Sequence, residues 1–278
     1  MRLPSMAGDQ DGTAQMVQRT VLLTGAAGSV GQFLLPGLSE YALRLTDLPE
    51  RESELSHLAG EALSTEVRTG DLADRAFTEG LVKDVDTVVH LAGNPAAPSS
   101  WAQLRVPNIE VVETVLDAAQ AAGVRRVILA SSVHAMGAYV QREQHPVDPA
   151  WPPSPCCVYG ATKAFAEAIG RTYTYRTGLS VVCLRFGGVQ KRPVAVGSLP
   201  SWIAPEDLRQ LVVAAIEADT ARVAFGVYHG ISANTRREWD TSNAQADLGY
   251  EPTRDSEIFL GEIDPDTTRG LCPPGPLA

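Results

Sequence analysis

Thr20-Val21-Leu22-Leu23-Thr24-Gly25-Ala26-Ala27-Gly28-Ser29-Val30-Gly31 decides the fold. Five β-branched and aliphatic residues in unbroken succession suit a strand buried on both faces. The glycines behind it permit a tight turn. They also let a pyrophosphate approach backbone N–H groups at the start of a helix. By itself a G-x-x-G-x-x-G run is equally a plain turn, so its surroundings matter. Similar apolar runs recur at 43–46, 65–69, 86–91, 126–130 and 179–185. Helical patterns lie at 108–122, with Ile109, Val112, Val115 and Leu116 on one face, at 158–176, and at 205–217 behind Pro205. Strands alternating with helices imply parallel strands joined by right-handed crossovers. The expected class is α/β, a doubly wound parallel sheet.

Residues 1–18 are polar and lack the apolar core of a signal peptide, and they read as a disordered extension. Residues 19–186 form the expected dinucleotide-binding core. Residues 187–263 supply substrate-side loops and, from 222 to 250, a small cap interleaved with that core. Residues 264–278 read as an extended peripheral tail. Two loops stand out, the proline-rich 145–157 and the long 187–205. Loops beyond strand ends are where α/β proteins build sites.

The chain has 278 residues, 44% of them hydrophobic and 20% charged, which is ordinary globular composition. With 33 acidic against 23 basic side chains, its charge of −10 repels nucleic-acid phosphate. No apolar stretch reaches the ~18–20 residues of a membrane span. A small-molecule substrate is therefore expected, with no nucleic-acid or membrane partner. Cys156, Cys157, Cys183 and Cys272 show neither the density of a disulfide scaffold nor a CxxC pair. They read as reduced thiols of a cytoplasmic protein, and no metal site is expected.

Asp47 closes the second strand, 16 residues after Gly31. There a carboxylate can accept from both ribose hydroxyls, or it can cap a turn before Pro49. The first reading favours NAD, because a 2′-phosphate would be repelled; Arg44 nearby weakens this only slightly. Asp71, followed by Leu72, can accept from an adenine amino group. Leu91-Ala92-Gly93 lets a cofactor cross the sheet edge. Tyr159 and Lys163, spaced i and i+4, share one helical face. Free tyrosine has a pKa near 10. A neighbouring ammonium and a positive nicotinamide ring would favour the phenolate, which could then take a proton from a substrate hydroxyl. Ser131 and Ser132 end the fifth strand, where a hydroxyl can hold the same oxygen.

In this order the glycine loop, Asp47, Asp71, His90-Leu91-Ala92-Gly93, Asn108, Ser132, Tyr159 and Lys163 resemble an extended short-chain dehydrogenase/reductase of the NAD-dependent epimerase/dehydratase family, with a Rossmann fold, from Val21 to about Pro252. The resemblance implies catalytic Ser132, Tyr159 and Lys163. It implies cofactor contacts at Gly25, Gly28, Ser29, Val30, Gly31, Asp47, Asp71, Leu72, Leu91, Ala92, Gly93, Asn108, Tyr159, Lys163 and Phe186. Substrate contacts are implied at Asn94, Ser132, Val133, His134 and Gly187. Asn108 either supports the helix or a water relay near Lys163, or is a simple N-cap. A closer likeness is to NAD-dependent uronate dehydrogenases, which oxidise a free uronic acid at C1. It rests on residues 43–48 (LRLTDL), 130–137 (ASSVHAMG), 199–207 (LPSWIAPED), Ser232-Ala233-Asn234, Trp239-Asp240 and Leu248-Gly249-Tyr250.

The departures fall where substrate is held. Val133-His134 stands where that family has Asn-His, and Pro95 where it has serine. The carboxylate-pairing arginine falls near Gly197, with Lys191 and Arg192 either reaching in or solvated. His134 reads as a substrate donor or a packed residue. His90 reads as a satisfied core histidine, and His229, Trp202, Trp239 and Tyr250 as packing for the cap. The expectation is an NAD-dependent oxidoreductase acting on a sugar-like cyclic alcohol or hemiacetal. The alternatives are an epimerase or dehydratase that recycles NAD, and a non-catalytic dinucleotide-binding protein. The family likeness also implies a homodimer through the helices at 108–122 and 158–176.

Overall fold

The computed structural model describes residues 19–59, 64–267 and 272. The expected extension at 1–18 and most of the tail lie outside them. Seven strands form one parallel sheet: β1 (Thr20–Thr24), β2 (Ala42–Asp47), β3 (Thr65–Thr69), β4 (Thr87–His90), β5 (Arg126–Ser132), β6 (Ser180–Phe186) and β9 (Phe225–Gly230). Their order is β3-β2-β1-β4-β5-β6-β9. The direction of winding reverses between β1 and β4, which opens a crevice above their carboxyl ends. A two-stranded parallel ribbon, β7 (Gly188–Val189) with β8 (Trp202–Ile203), stands beyond β6.

Because strand side chains alternate between faces, neighbours in sequence feed opposite layers. Leu22, Val88 and Val127 pack into the cluster that includes helices α3 (Arg75–Leu81), α5 (Val111–Ala121) and α7 (Val158–Thr177). Leu23, Val89, Ile128 and Val182 belong to the other, with α1 (Ser29–Leu34) and α8 (Pro205–Glu217). The remaining helices are α2 (Glu52–Leu58), α4 (Trp101–Arg105), α6 (Gly137–Gln141) and α9 (Ser242–Leu248). No described helix is long and apolar enough to cross a membrane.

Two sequence expectations need correction. The segment read as a cap strand is β9, which joins the main sheet beside β6 after the α8 crossover. Its glycines and mixed polarity hid an ordinary edge strand. The helix expected to begin at Asn108 begins at Trp101 instead, where Ser100 and Gln103 form a capping box. Pro107 is absorbed by a π-helical turn, Val106–Glu110, which accommodates its missing N–H and joins α4 to α5.

Trp239, with Val133, Met136, Val147 and Ile231, forms a third cluster under the segment after β5, and His229 stacks edge-on against Trp239 at 5.3 Å. His90 is buried, but only half satisfied: Nδ1 meets Thr24 Oγ1 at 2.9 Å, while Nε2 has no partner. Burial pushes its pKa down to about 3, so the ring is neutral. Between α7 and β6, Glu167 and Arg185 form a fully buried two-bond ion pair, both N–O distances 2.8 Å. Ser131 Oγ also donates to Glu167 Oε1, at 2.5 Å. Removing one partner strands the other charge. Arg185→Met is expected to destabilise the protein by about 3–5 kcal/mol in urea denaturation, and adding Glu167→Leu to recover a large part of that loss.

Candidate active site

Two adjoining cavities lie over the carboxyl ends of the strands, about 530 and 420 Å3 in volume. They share Val30, Leu91, Gly93, Asn94 and Pro95, so they form one crevice with two ends.

The larger cavity runs along the glycine loop. Gly25 takes φ +67°, and a Cβ there would stand 2.8 Å from Ala92 N; only glycine lets β1 and β4 approach this closely. Gly28, Ser29 and Val30 line the floor. Gly31 does not, because it packs against Ala26 instead. At the far end Asp47 Oδ2 accepts from Ala27 N at 3.0 Å, and Oδ1 from Leu48 N at 2.9 Å. The turn-capping reading is what these two bonds show. The carboxylate organises its turn, and it faces the cavity with lone pairs left for hydroxyl donors. Arg44 is spent elsewhere, on Glu66 and the carbonyls of Leu81 and Lys83. The cation that does line this end is Arg51, four residues beyond Asp47, which bonds Ala27 O and Glu54. Asp71 and Leu72 line the same cavity, as do Leu91, Ala92 and Gly93. This shape, at the point where strand order reverses and ending on a pinned carboxylate, fits an extended dinucleotide.

Asn108 is placed differently from expectation. It lies in the π-helical turn, so it is no N-cap, and it lines neither cavity. Its carboxamide accepts from Asn94 N at 2.7 Å. It also donates to Asn94 O at 3.0 Å and to Thr162 Oγ1 at 3.2 Å. It clamps the end of β4 to α7, one residue before Lys163.

The smaller cavity is built on β5 and α7. Ser132 and Tyr159 both line it, with the Ser132 hydroxyl near enough to the phenol to favour its ionised form. Lys163 Nζ lies 5.6 Å from the Tyr159 ring centre and donates to Ala130 O at 2.7 Å. Burial pushes the Tyr159 pKa up to about 12 against the lowering effect of the Ser132 hydroxyl, and pushes Lys163 down to about 8. The expected lowering of Tyr159 by its neighbouring ammonium is not seen: desolvation raises the phenol, and the group that lowers it is the Ser132 hydroxyl. His134 meets Tyr159 edge-on at 5.6 Å. Val133, Phe186 and Gly187 complete the walls near β5 and β6.

Sequence reasoning missed the far wall, where Gln190, Ser198 and Ser201 line the cavity. The ribbon brings these residues in, with Trp202 Nε1 donating to Gln190 O at 2.9 Å. Neither Lys191, Arg192 nor Gly197 lines it; Arg192 pairs with Glu262 outside. Among the described residues the lining therefore holds no guanidinium. The four thiols are free, as expected, but three of them cluster in a way the sequence did not announce. Cys156, Cys157 and Cys272 converge on His134 at the back of this cavity, while Cys183 sits alone in the core.

With this geometry in hand, the comparisons are specific. Residues 21–189 match the model of the NAD dependent epimerase/dehydratase family. A uronate dehydrogenase of Pseudomonas putida is 36% identical over 88% of this chain and 87% of its own. An NAD-dependent glucose-6-phosphate dehydrogenase of Haloferax volcanii is 33% identical over 90% and 98%. An L-arabinose 1-dehydrogenase (NAD(P)(+)) of the same organism is 30% identical over 86% and 98%. The crystal structure of an Agrobacterium tumefaciens uronate dehydrogenase variant complexed with NAD superposes with a TM-score of 0.78 at 30% identity, over 93% of this chain and 92% of that one.

What holds Tyr159 in place is a backbone contact. A Cβ on Gly160 would lie 2.2 Å from His134 O, so the first turn of α7 sits against the segment after β5 only because residue 160 is glycine. Gly160→Ala should lower kcat by about 100-fold, in keeping with the effect of ångström-scale misplacement of a reacting group, while NAD affinity measured by fluorescence titration stays nearly unchanged.

Proposed function

We propose, starting from the fact that this chain belongs to the NAD-dependent epimerase/dehydratase family, that it is an NAD-dependent oxidoreductase removing hydride from a neutral cyclic sugar at its hemiacetal carbon. The observation that carries this reading is the Ser132–Tyr159–Lys163 group, facing a hydroxyl- and amide-lined cavity that opens directly onto the dinucleotide crevice. NAD, when bound, supplies the hydride acceptor and a positive ring beside the phenol. Asp47 would accept from the adenosine ribose hydroxyls, and the glycine loop would lie under the pyrophosphate. Ser132 Oγ would donate to the substrate oxygen, and Tyr159 Oη would take its proton. Lys163, anchored on Ala130 O, keeps two donors for ribose and holds positive charge near the phenol.

Two features support a neutral substrate. Asn94, Gln190, Ser198 and Ser201 offer neutral hydrogen-bonding groups to sugar hydroxyls. Among the described residues no guanidinium lines the cavity to pair with a carboxylate or phosphate, and such a charge enclosed without a partner would lose several kcal/mol of binding. The proposal further places the enzyme in the cytoplasm as a homodimer paired through α5 and α7. The strongly exposed Tyr175 on α7 supports a contact there.

The test is NADH formation across neutral aldoses, uronic acids and sugar phosphates. Neutral aldoses should exceed uronates in kcat/KM by about 100-fold or more, the worth of an unpaired buried polar or charged group. Turnover confined to uronates would overturn the substrate assignment. Product formation without NADH accumulation would point instead to an epimerase. Tyr159→Phe should cut kcat by about 100- to 10,000-fold, with NAD affinity kept.

The pH dependence follows from the two shifted groups. Tyr159 must lose its proton to act as base, and its pKa is raised, so oxidation should rise with pH at unit slope from the acid side. Lys163 must keep its proton, so the slope should fall off above about pH 8. Lys163→Met should be slower and should lose that break.

A further inference from the structure

We propose that His134, Cys156, Cys157 and Cys272 form a tetrahedral, thiolate-rich metal site that takes zinc. Their ligand atoms all lie within 4.8 Å of one another. The sulfurs of Cys156, Cys157 and Cys272 stand 3.5, 3.5 and 3.4 Å from His134 Nδ1. Tetrahedral zinc with Zn–S near 2.3 Å and Zn–N near 2.05 Å requires N···S edges of about 3.6 Å, and the three observed N···S edges are close to that length.

Three separate segments bring these atoms together: the turn after β5, the end of the proline-rich loop, and the tail. Each is held independently. Cys156 N donates to His134 O at 3.2 Å, Gly160 N donates to Cys157 Sγ at 3.4 Å, and Gln141 Nε2 donates to Cys272 O at 2.7 Å. Three soft sulfurs and one imidazole select zinc over hard cations such as magnesium or calcium. On binding, the three thiols release three protons and Nδ1 contributes its lone pair, leaving a site of net charge −1. All four positions are filled by the protein, so the metal is structural and keeps no open position for substrate or water. It would fasten the tail to the back of the substrate cavity. Coordination through Nδ1 would also fix the proton of His134 on Nε2, leaving that residue, which lines the cavity, as a hydrogen-bond donor.

The experiment uses the full chain, purified under reducing conditions, with metal content read by mass spectrometry and the metal-free protein titrated with cobalt(II). About one zinc per chain is expected, released in step with mercurial modification of three thiols. Cobalt should give the strong visible bands and near-ultraviolet charge-transfer absorption of a tetrahedral thiolate site, a readout that needs no variant. Cys156→Ser and Cys272→Ser should each weaken zinc retention against a chelator by 10-fold or more, while Cys183→Ala keeps it, since Cys183 lies outside the cluster. The proposal fails if the chain neither carries zinc nor gives cobalt–thiolate absorption. It also fails if zinc is retained undiminished in the double variant Cys156→Ser/Cys272→Ser, or if an intact mass two hydrogens light shows a disulfide among these cysteines in the reduced preparation.

Discussion

The seating of α7 on the segment after β5 is the contact on which the rest of the site depends. It is a backbone-to-backbone approach, set by Gly160 under His134 O, and it leaves no room for even a methyl group. From it follow the placement of Tyr159 beside Ser132 at the cavity, the reach of Lys163 to Ala130 O, and the position of His134 at the cavity wall. The Glu167–Arg185 pair and the Asn108 clamp hold the same helix from two further sides. A parallel sheet delivers strand ends to one edge, but only a helix locked in this way turns that edge into a catalytic geometry.

Burial acts on this geometry in two directions. It raises the phenol of Tyr159 and lowers the amine of Lys163, so each group is pushed toward its neutral form. A base at this position therefore depends on positive charge brought next to it. The proposed chemistry supplies that charge with the oxidised cofactor, which links cofactor binding to activation of the phenol. The substrate end shows a similar economy of charge: beyond Lys163 and His134 its polar lining, among the described residues, is neutral, which suits hydroxyl recognition.

Much of this architecture is legible in the amino-acid sequence. The strand at Thr20–Thr24 and the helix at Pro205–Glu217 have the bounds that their apolar runs and Pro205 suggest, because each is a locally consistent signal. The glycine loop and Asp47 are legible because they stand at the ends of β1 and β2, and Tyr159 and Lys163 because i, i+4 spacing puts them on one face of α7. Other features were not legible, for physical reasons. β9 reads in sequence as part of a cap because an edge strand needs fewer apolar residues. The helix start at Trp101 was hidden by Pro107, which a π-turn accommodates. Gln190, Ser198 and Ser201 reach the cavity through the β7–β8 pairing, which no local pattern announces. The thiol cluster escaped for the same reason, since its ligands come from three segments and no paired spacing marks them.

The central claim is that Tyr159 and the dinucleotide crevice together carry out direct hydride removal from a sugar carbon. The most direct measurement follows deuterium from a neutral aldose labelled at C1 through a single turnover with NAD. The account predicts that the label appears in the reduced cofactor, one atom per product molecule, without exchange with solvent. Product formed with the label lost to water, or retained on the sugar, would contradict it.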